Sequence, residues 1–449
     1  MVRDVLHLRA PGNWMNDPNG FIYFRGKYHL FYQYFPYGPM WGTMHWGHAV
    51  SEDLVRWEHG DIALFPTKGY DRNGVFSGSA LEKDGKLYLY YSAVRYLEED
   101  AENIHYAPHD FYETSQAVLV SEDGVKFDNW KEKSQIIPVC RNEETANAVH
   151  TRDPKVWKEN GICYMVLGST YREQVGRAVF YRSENGVDWE YANQLRDGQF
   201  GRILECPDVF RIGEDYIFLG SPMYVSEDEP GYQHHAVCAR ADFDEKTCGL
   251  TLLSECRYVD YGLDLYAAQT NVDEEGRRVM FAWMRMPEEV KAPDRKPWIG
   301  MMCQPRVIEL EGGHIYFRIH PNVEKYFEKE TAEKSTMRGM PCRIRTVLGK
   351  GESLNAGGYR IWEEDDRIWT DRSRVYAGIR GHKLVSSTPG LAGRYELDIF
   401  VSPSLIEVFV NEGQYVISSV VYGLGAELAG KIDKIYRPVE NIIATGNEV

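Results

Sequence analysis

The sequence predicts an all-β protein: a five-bladed β-propeller over residues 1–310, a linker over 311–334 and a β-sandwich over 335–449. Three observations predict it. Short aromatic or β-branched runs alternate with Gly, Asp and Asn turns, as in EKDGKLYLYYSA, WKENGICYMVLGS and RIGEDYIFLGS, and each reads as a hairpin. One spacing recurs: Asp17, Ser77, Asp153 and Glu205 each lie 11 residues before a tyrosine (Tyr28, Tyr88, Tyr164, Tyr216), and Ala268 lies 11 before Val279 in a looser fifth copy. Self-similarity of this kind marks a repeat architecture. A second phrase, SEDLVRWE at Ser51, SEDGVKFDNW at Ser121 and SENGVDWE at Ser183, reads as a tight turn leading into a strand with a packing aromatic.

The anchors lie 60, 76, 52 and 63 residues apart, room for four short strands with loops. Four-stranded units around an axis make a propeller. The 76-residue step holds an acidic, aromatic insertion over 96–114, read as pocket rim, as the contact of a homo-oligomer, or as a solvated loop. After Pro305 the pattern changes. PNVEKYFEKETAEKS (321–335) is charged and helix-permissive, the expected linker. RYELDIFV, LIEVFV and YVISSVVY then read as a sandwich that covers apolar propeller surface and carries no catalytic cluster.

Bulk properties exclude several classes. A net charge of -16 argues against nucleic acid and anionic membranes as partners. No run approaches a membrane span. The eight cysteines form no CxxC pair, and no HExxH, Walker loop or GxGxxG after a strand occurs, so neither metal nor cofactor is expected. Scattered thiols without a secretion-like leader predict a cytoplasmic protein.

If the repeats close radially, three carboxylates face one axis. Pro18 biases Asp17 to an extended conformation at a strand start. Asp153 repeats the device in RDP, where Arg152 is expected to keep it ionised. Glu205, in ECPDVF, has a longer side chain and no adjacent arginine, and is expected to hold the proton; Asp208 is expected to position its segment. Two carboxyls flanking a bond, one ionised and one protonated, can run glycoside hydrolysis.

At these residues the chain resembles glycoside hydrolase family 32, the β-fructofuranosidases, invertases and sucrose-6-phosphate hydrolases. WMNDPNG at Trp14, FYQ at Phe31, MHWGHAVSEDLVRWE at Met44, FSGSA at Phe76, RDP at Arg152, ECPD at Glu205 and YAAQ at Tyr266 occur in the family's order, followed by DRS at Asp371 and IEVFVNEG at Ile406. The resemblance implies a funnel-shaped propeller pocket and a retaining double displacement on a terminal fructofuranose. Asp17 would be the nucleophile, Glu205 the acid/base and Asp153 the stabiliser that binds fructose hydroxyls. It also implies Asn16, Gln33, Trp41, Phe76, Ser77 and Arg152 around the fructose ring, with Trp14 and Trp283 as walls and Tyr266 and Gln269 as neighbours. Sucrose, sucrose 6-phosphate or short fructo-oligosaccharides are the implied substrates. The alternatives are a fructosyltransferase or exo-acting fructan hydrolase on the same scaffold, an inverting arabinose-releasing propeller, and a non-catalytic sugar binder. Phe35 departs from the family's usual Asn before Pro, beside Trp41, and WIGMMCQPR is an approximate match.

Overall fold

The structure is a computed structural model describing residues 3–225, 234–292, 295–333, 335–337, 341–376 and 382–439. Position 334 and the last ten positions of the expected sandwich lie outside the described residues. Between Arg3 and Ile319 the described strands form five sheets. The leading strands are β1 (Asn13–Phe24), β2 (Gly74–Lys83), β3 (Arg152–Glu159), β4 (Ile203–Ile212) and β5 (Leu265–Val272). Each pairs antiparallel with the next strand in the chain. β1 packs on β2, β2 on β3, β3 on β4, β4 on β5, and β5 returns to β1.

Polar side chains stitch this ring. Asn19 accepts from the Gly78 N–H at 3.0 Å, and Ser79 donates to the Pro154 carbonyl at 2.7 Å. Lys155 pairs with Asp208 at 3.0 Å, and Asp208 accepts from Thr270 at 2.9 Å. Gln269 accepts from the Phe21 N–H at 3.1 Å and donates to the Gly78 carbonyl at 2.8 Å. Close-packed strand ends leave buried backbone groups that must be paired, and these side chains pair them. Asp208 thus locks β4 to its neighbours, and Gln269 closes the ring. At Gly78 a Cβ would lie 1.9 Å from the Tyr90 carbonyl oxygen, so only glycine fits.

The recurring Ser-x-Asx phrase is a turn with one mechanism in all three places. The serine hydroxyl accepts the N–H three residues on, and the Asx carboxyl or amide oxygen accepts the next two. Leu54, Gly124 and Gly186 supply the left-handed residue, with φ of 66°, 72° and 73°.

The expected domain limits shift. Strand His314–Ile319 pairs with Arg306–Glu311 in the fifth sheet, so the propeller runs past residue 310. The expected linker contains the helix Pro321–Tyr326, capped by the His320 side chain, with Val323 and Phe327 buried; Lys329–Glu330 already pairs with the sandwich. Val323 and Tyr326 are buried, Glu324 pairs with Arg343 of the sandwich at 2.6 Å and Lys325 is exposed, which a reading of composition could not separate.

The sandwich is two sheets, one built on Cys342–Val347 and Glu396–Ser402, the other on Tyr359–Glu364 and Arg367–Asp371. Its Phe400, Leu405, Phe409 and Val416 join the same apolar core as Val307 and Phe317 of the fifth sheet. A buried polar network crosses this contact. Arg306 pairs with Glu407 at 3.0 Å and with Asp260 at 2.9 Å, and Glu407 also meets His7 at 3.0 Å. Glu407→Ala leaves Arg306 with an incomplete set of anionic partners and is expected to destabilise the protein by about 3–5 kcal/mol, checked as a fall in the urea midpoint.

Candidate active site

The leading strands share one irregularity. The pairing register slips between Met15 and Pro18, Val75 and Gly78, Arg152 and Lys155, Glu205 and Asp208, and Tyr266 and Gln269. These are β-bulges, which re-aim side chains and terminate pairing. The first bulge residue is left-handed without glycine at Asp153 (φ 63°), Cys206 (φ 45°) and Ala267 (φ 54°). Such strain gathers where surrounding structure over-determines a site.

Measured from the bulge, the constant 11-residue offset is not a constant structural position. Asp17 and Ser77 are second bulge residues, Asp153 is a first, and Glu205 precedes its bulge. The hairpins differ in length between bulge and tyrosine, so equal counting along the chain lands on unequal positions. The side chains nevertheless converge. Asp17, Asp153 and Glu205 line one cavity of about 240 Å³ with Asn16, Gln33, Trp41, Phe76, Ser77 and Arg152.

Asp17 accepts from the Ser77 hydroxyl at 2.6 Å and from the Asn16 amide at 3.1 Å; Trp14 in turn donates to the Asn16 oxygen at 2.8 Å. Asp153 accepts the Cys206 N–H at 2.9 Å. The Cys206 thiol lies 3.6 Å from both Asp17 and Asp153. Arg152 donates to Glu205 through Nε at 3.0 Å and Nη2 at 2.9 Å. Tyr266 donates to the other Glu205 oxygen at 2.7 Å.

Two expectations change here. Arg152 grips Glu205, not its chain neighbour Asp153, because adjacent strand residues diverge and the bulge turns Asp153 away. The carboxyl raised above its ordinary value is therefore not that of Glu205. Burial would raise Glu205, but the Arg152 guanidinium and the Tyr266 hydroxyl prevail and hold its carboxyl below its ordinary value. Burial pushes Asp17 up to about 6, with the Glu205 charge adding and the Ser77 hydroxyl opposing. Burial and the Glu205 charge push Asp153 up to about 7, against the pull of Arg152.

Three comparisons bear on this site. The description "Glycosyl hydrolases family 32 N-terminal domain" matches residues 7–321, and "Glycosyl hydrolases family 32 C terminal" matches 359–432. The chain belongs to glycosyl hydrolase family 32. It is 33% identical to a sucrose-6-phosphate hydrolase of Zymomonas mobilis, covering 95% of this chain and 88% of the relative. It is 31% identical to a raffinose invertase of Escherichia coli, covering 93% and 89%. Among solved structures, a GH32 β-fructofuranosidase of Bombyx mori superposes with a TM-score of 0.80 at 27% identity, covering 96% of this chain and 93% of that one.

This family 32 glycoside hydrolase has site residues that its motifs did not mark. Neither of the two expected walls, Trp14 and Trp283, is among the residues lining the cavity; their rings pack 5.9 Å apart, and Trp14 reaches the site through Asn16. Tyr266 reaches the site through Glu205 and not through the cavity surface. Cys206 was missed, although its place right after Glu205 was a signal. Burial and the three carboxylates push its thiol well above the usual value, so it stays neutral and donates. Tyr96, Tyr106, Ala107, Asp110 and Tyr112 of the insertion also line the cavity, the rim role among the three readings of that segment.

Ser77→Ala removes the hydrogen bond that favours ionised Asp17. The Asp17 carboxyl then rises above about 6, and the acid limb of the kcat/KM profile is expected to move to higher pH, with activity at pH 6 falling by roughly tenfold. A pH profile of the variant checks both the direction and the size.

Proposed function

We propose that the protein releases terminal β-D-fructofuranose from sucrose or sucrose 6-phosphate by double displacement. The Asp17 carboxylate attacks the anomeric carbon to form a fructosyl ester. The Glu205 carboxyl gives its proton to the departing glycosidic oxygen, then takes one from the water that opens the ester. Asp153 accepts hydrogen bonds from fructose hydroxyls, and Asn16, Gln33, Trp41, Phe76, Ser77 and Arg152 surround the ring. Tyr266 orients Glu205. Retention calls for Asp17 and Glu205 carboxyls about 5–5.5 Å apart.

The observation that carries the reading is the meeting of three carboxylates from separate sheets in one small cavity. At about 240 Å³ it lies below the roughly 300–1,000 Å³ of drug-sized sites, which suits one sugar ring and removal from a chain end. The relatives named sucrose-6-phosphate hydrolase and raffinose invertase support it, as does a Bombyx mori β-fructofuranosidase mutant solved in complex with sucrose. We read the five sheets as five blades. Eight thiols, none of them bridged, suit a reducing compartment, so a cytoplasmic site of action is part of the proposal.

Released fructose measured across sucrose, sucrose 6-phosphate, kestose, inulin and levan tests the substrate, and NMR of the first-formed anomer tests the chemistry. Predominant transfer products at high sucrose would reject simple hydrolysis. An inverted first product would reject the double displacement.

A further inference from the structure

This inference rests on the fructosyl-hydrolase reading and concerns the group that leaves. Besides the carboxylates, the cavity is lined by Trp41 and by Tyr96, Tyr106, Asp110 and Tyr112 of the insertion. Trp41 is 44% exposed and Tyr106 50%. Large aromatics left this open at a cavity mouth present rings to whatever enters it.

The wall is built, not loose. The Leu97 N–H donates to the Phe111 carbonyl at 2.8 Å, closing the base of the insertion. The Tyr96 hydroxyl donates to the His105 carbonyl at 3.0 Å, and His105 Nδ1 lies 2.8 Å from the Thr43 hydroxyl. The His105 ring packs 4.9 Å from Phe35 and stacks 6.0 Å from Tyr37. The aromatic Phe35 therefore helps anchor the insertion against the loop that carries Trp41.

Of the charged residues lining this cavity, Asp110 is the exposed one, at the mouth. Among the described residues lining it, Arg152 is the sole Lys or Arg, and its guanidinium is committed to Glu205 and to His150 at 3.1 Å. The carboxyls are four: Asp17, Asp153, Glu205 and, on the rim, Asp110. A phosphate monoester carries about -1.5 to -2 at neutral pH and is normally held by Arg, Lys or converging backbone donors. Placed here it meets carboxylates, and such like-charge juxtaposition acts as discrimination. A neutral sugar can lay its apolar face on the Trp41 and Tyr106 rings and pair its hydroxyls with Tyr hydroxyls and Asp110.

We propose that the insertion with Trp41 forms the leaving-group subsite, and that this subsite selects an uncharged sugar over a phosphorylated one, with Asp110 as a specificity-determining residue. The selection differs from that implied by the names of several relatives, and it follows from this chain's own rim.

The test is kcat/KM for sucrose against sucrose 6-phosphate with purified enzyme at low ionic strength. Sucrose should be favoured by at least about tenfold, and added salt should narrow the ratio. Asp110→Asn keeps a residue tolerant of the left-handed backbone there (φ 52°) and should narrow the ratio several-fold; Asp110→Lys should narrow it further. A wild-type ratio of one or less, or of any size in favour of the phosphorylated sugar, overturns the subsite assignment. An Asp110→Asn ratio equal to wild type overturns the role of Asp110. Failure to release fructose from either sugar overturns the hydrolase reading itself, and the inference with it.

Discussion

Asp17→Asn is expected to lower kcat on sucrose by about 10⁴-fold or more while the protein stays folded. The amide cannot form the fructosyl ester, so the loss falls on the chemical step. The amide oxygen still accepts the Ser77 hydrogen bond, and its NH2 takes the place of the oxygen that Asn16 met. The stability effect has a defined sign. Asp17 is raised from 3.8 to about 6 in the folded protein, so the native state binds that proton more tightly than the unfolded chain. Its charge therefore costs stability as pH rises from about 4 through 6, and the full cost is present at pH 7. The amide removes that cost, so the melting temperature at pH 7 should be unchanged or higher, with the gain vanishing below about pH 4. Thermal melts at pH 7 and 4 beside single-turnover assays check both parts. Turnover near the wild-type rate would remove Asp17 as the nucleophile.

Glu205→Gln should lower kcat/KM on sucrose by about 10³-fold, within the 10²–10⁴ that general acid–base catalysis supplies. The amide oxygen still accepts from Arg152, its NH2 takes the place of the oxygen that Tyr266 met, and it has no acidic proton to give. The proposed double displacement needs Asp17 ionised and Glu205 protonated. Arg152 and Tyr266 favour ionised Glu205, while burial raises Asp17 to about 6 and Asp153 to about 7, so as pH falls protons enter the cluster at the aspartates first. The three carboxyls titrate as one cluster, so a proton held by an aspartate is within the same cluster as Glu205. The variant should lose the basic limb of its pH profile. It should also be far less impaired on β-fructosyl fluoride, whose leaving group needs no proton in the first step. Equal impairment on both substrates would show that Glu205 is not the acid.

Much of this was legible in the residues. The hairpins, the Ser-x-Asx turns and the three carboxylates each rest on chemistry within a few neighbouring positions. WMNDPNG and RDP carry their own turn and extension signals, so both segments could be placed at strand starts. The insertion was legible as an acidic, aromatic segment, but its role was not. Its contacts with Phe35, Tyr37 and Thr43 join residues more than 60 positions apart. Trp14 and Trp283 show the opposite failure: both read as pocket walls, yet they pack on each other and neither is among the residues lining the cavity.

By itself the sequence determined an all-β chain of repeated hairpins, and which carboxylates stand ahead of the strands. Those properties depend on local backbone preferences and on side-chain alternation, which are counted along the chain. Only the tertiary structure decided where each carboxyl sits relative to its bulge, and that Arg152 meets Glu205 and not Asp153. Bulge positions and ion-pair partners are set between strands, by register and by the ring closing on itself. Which group is charged then follows from burial and from the nearest cation in space.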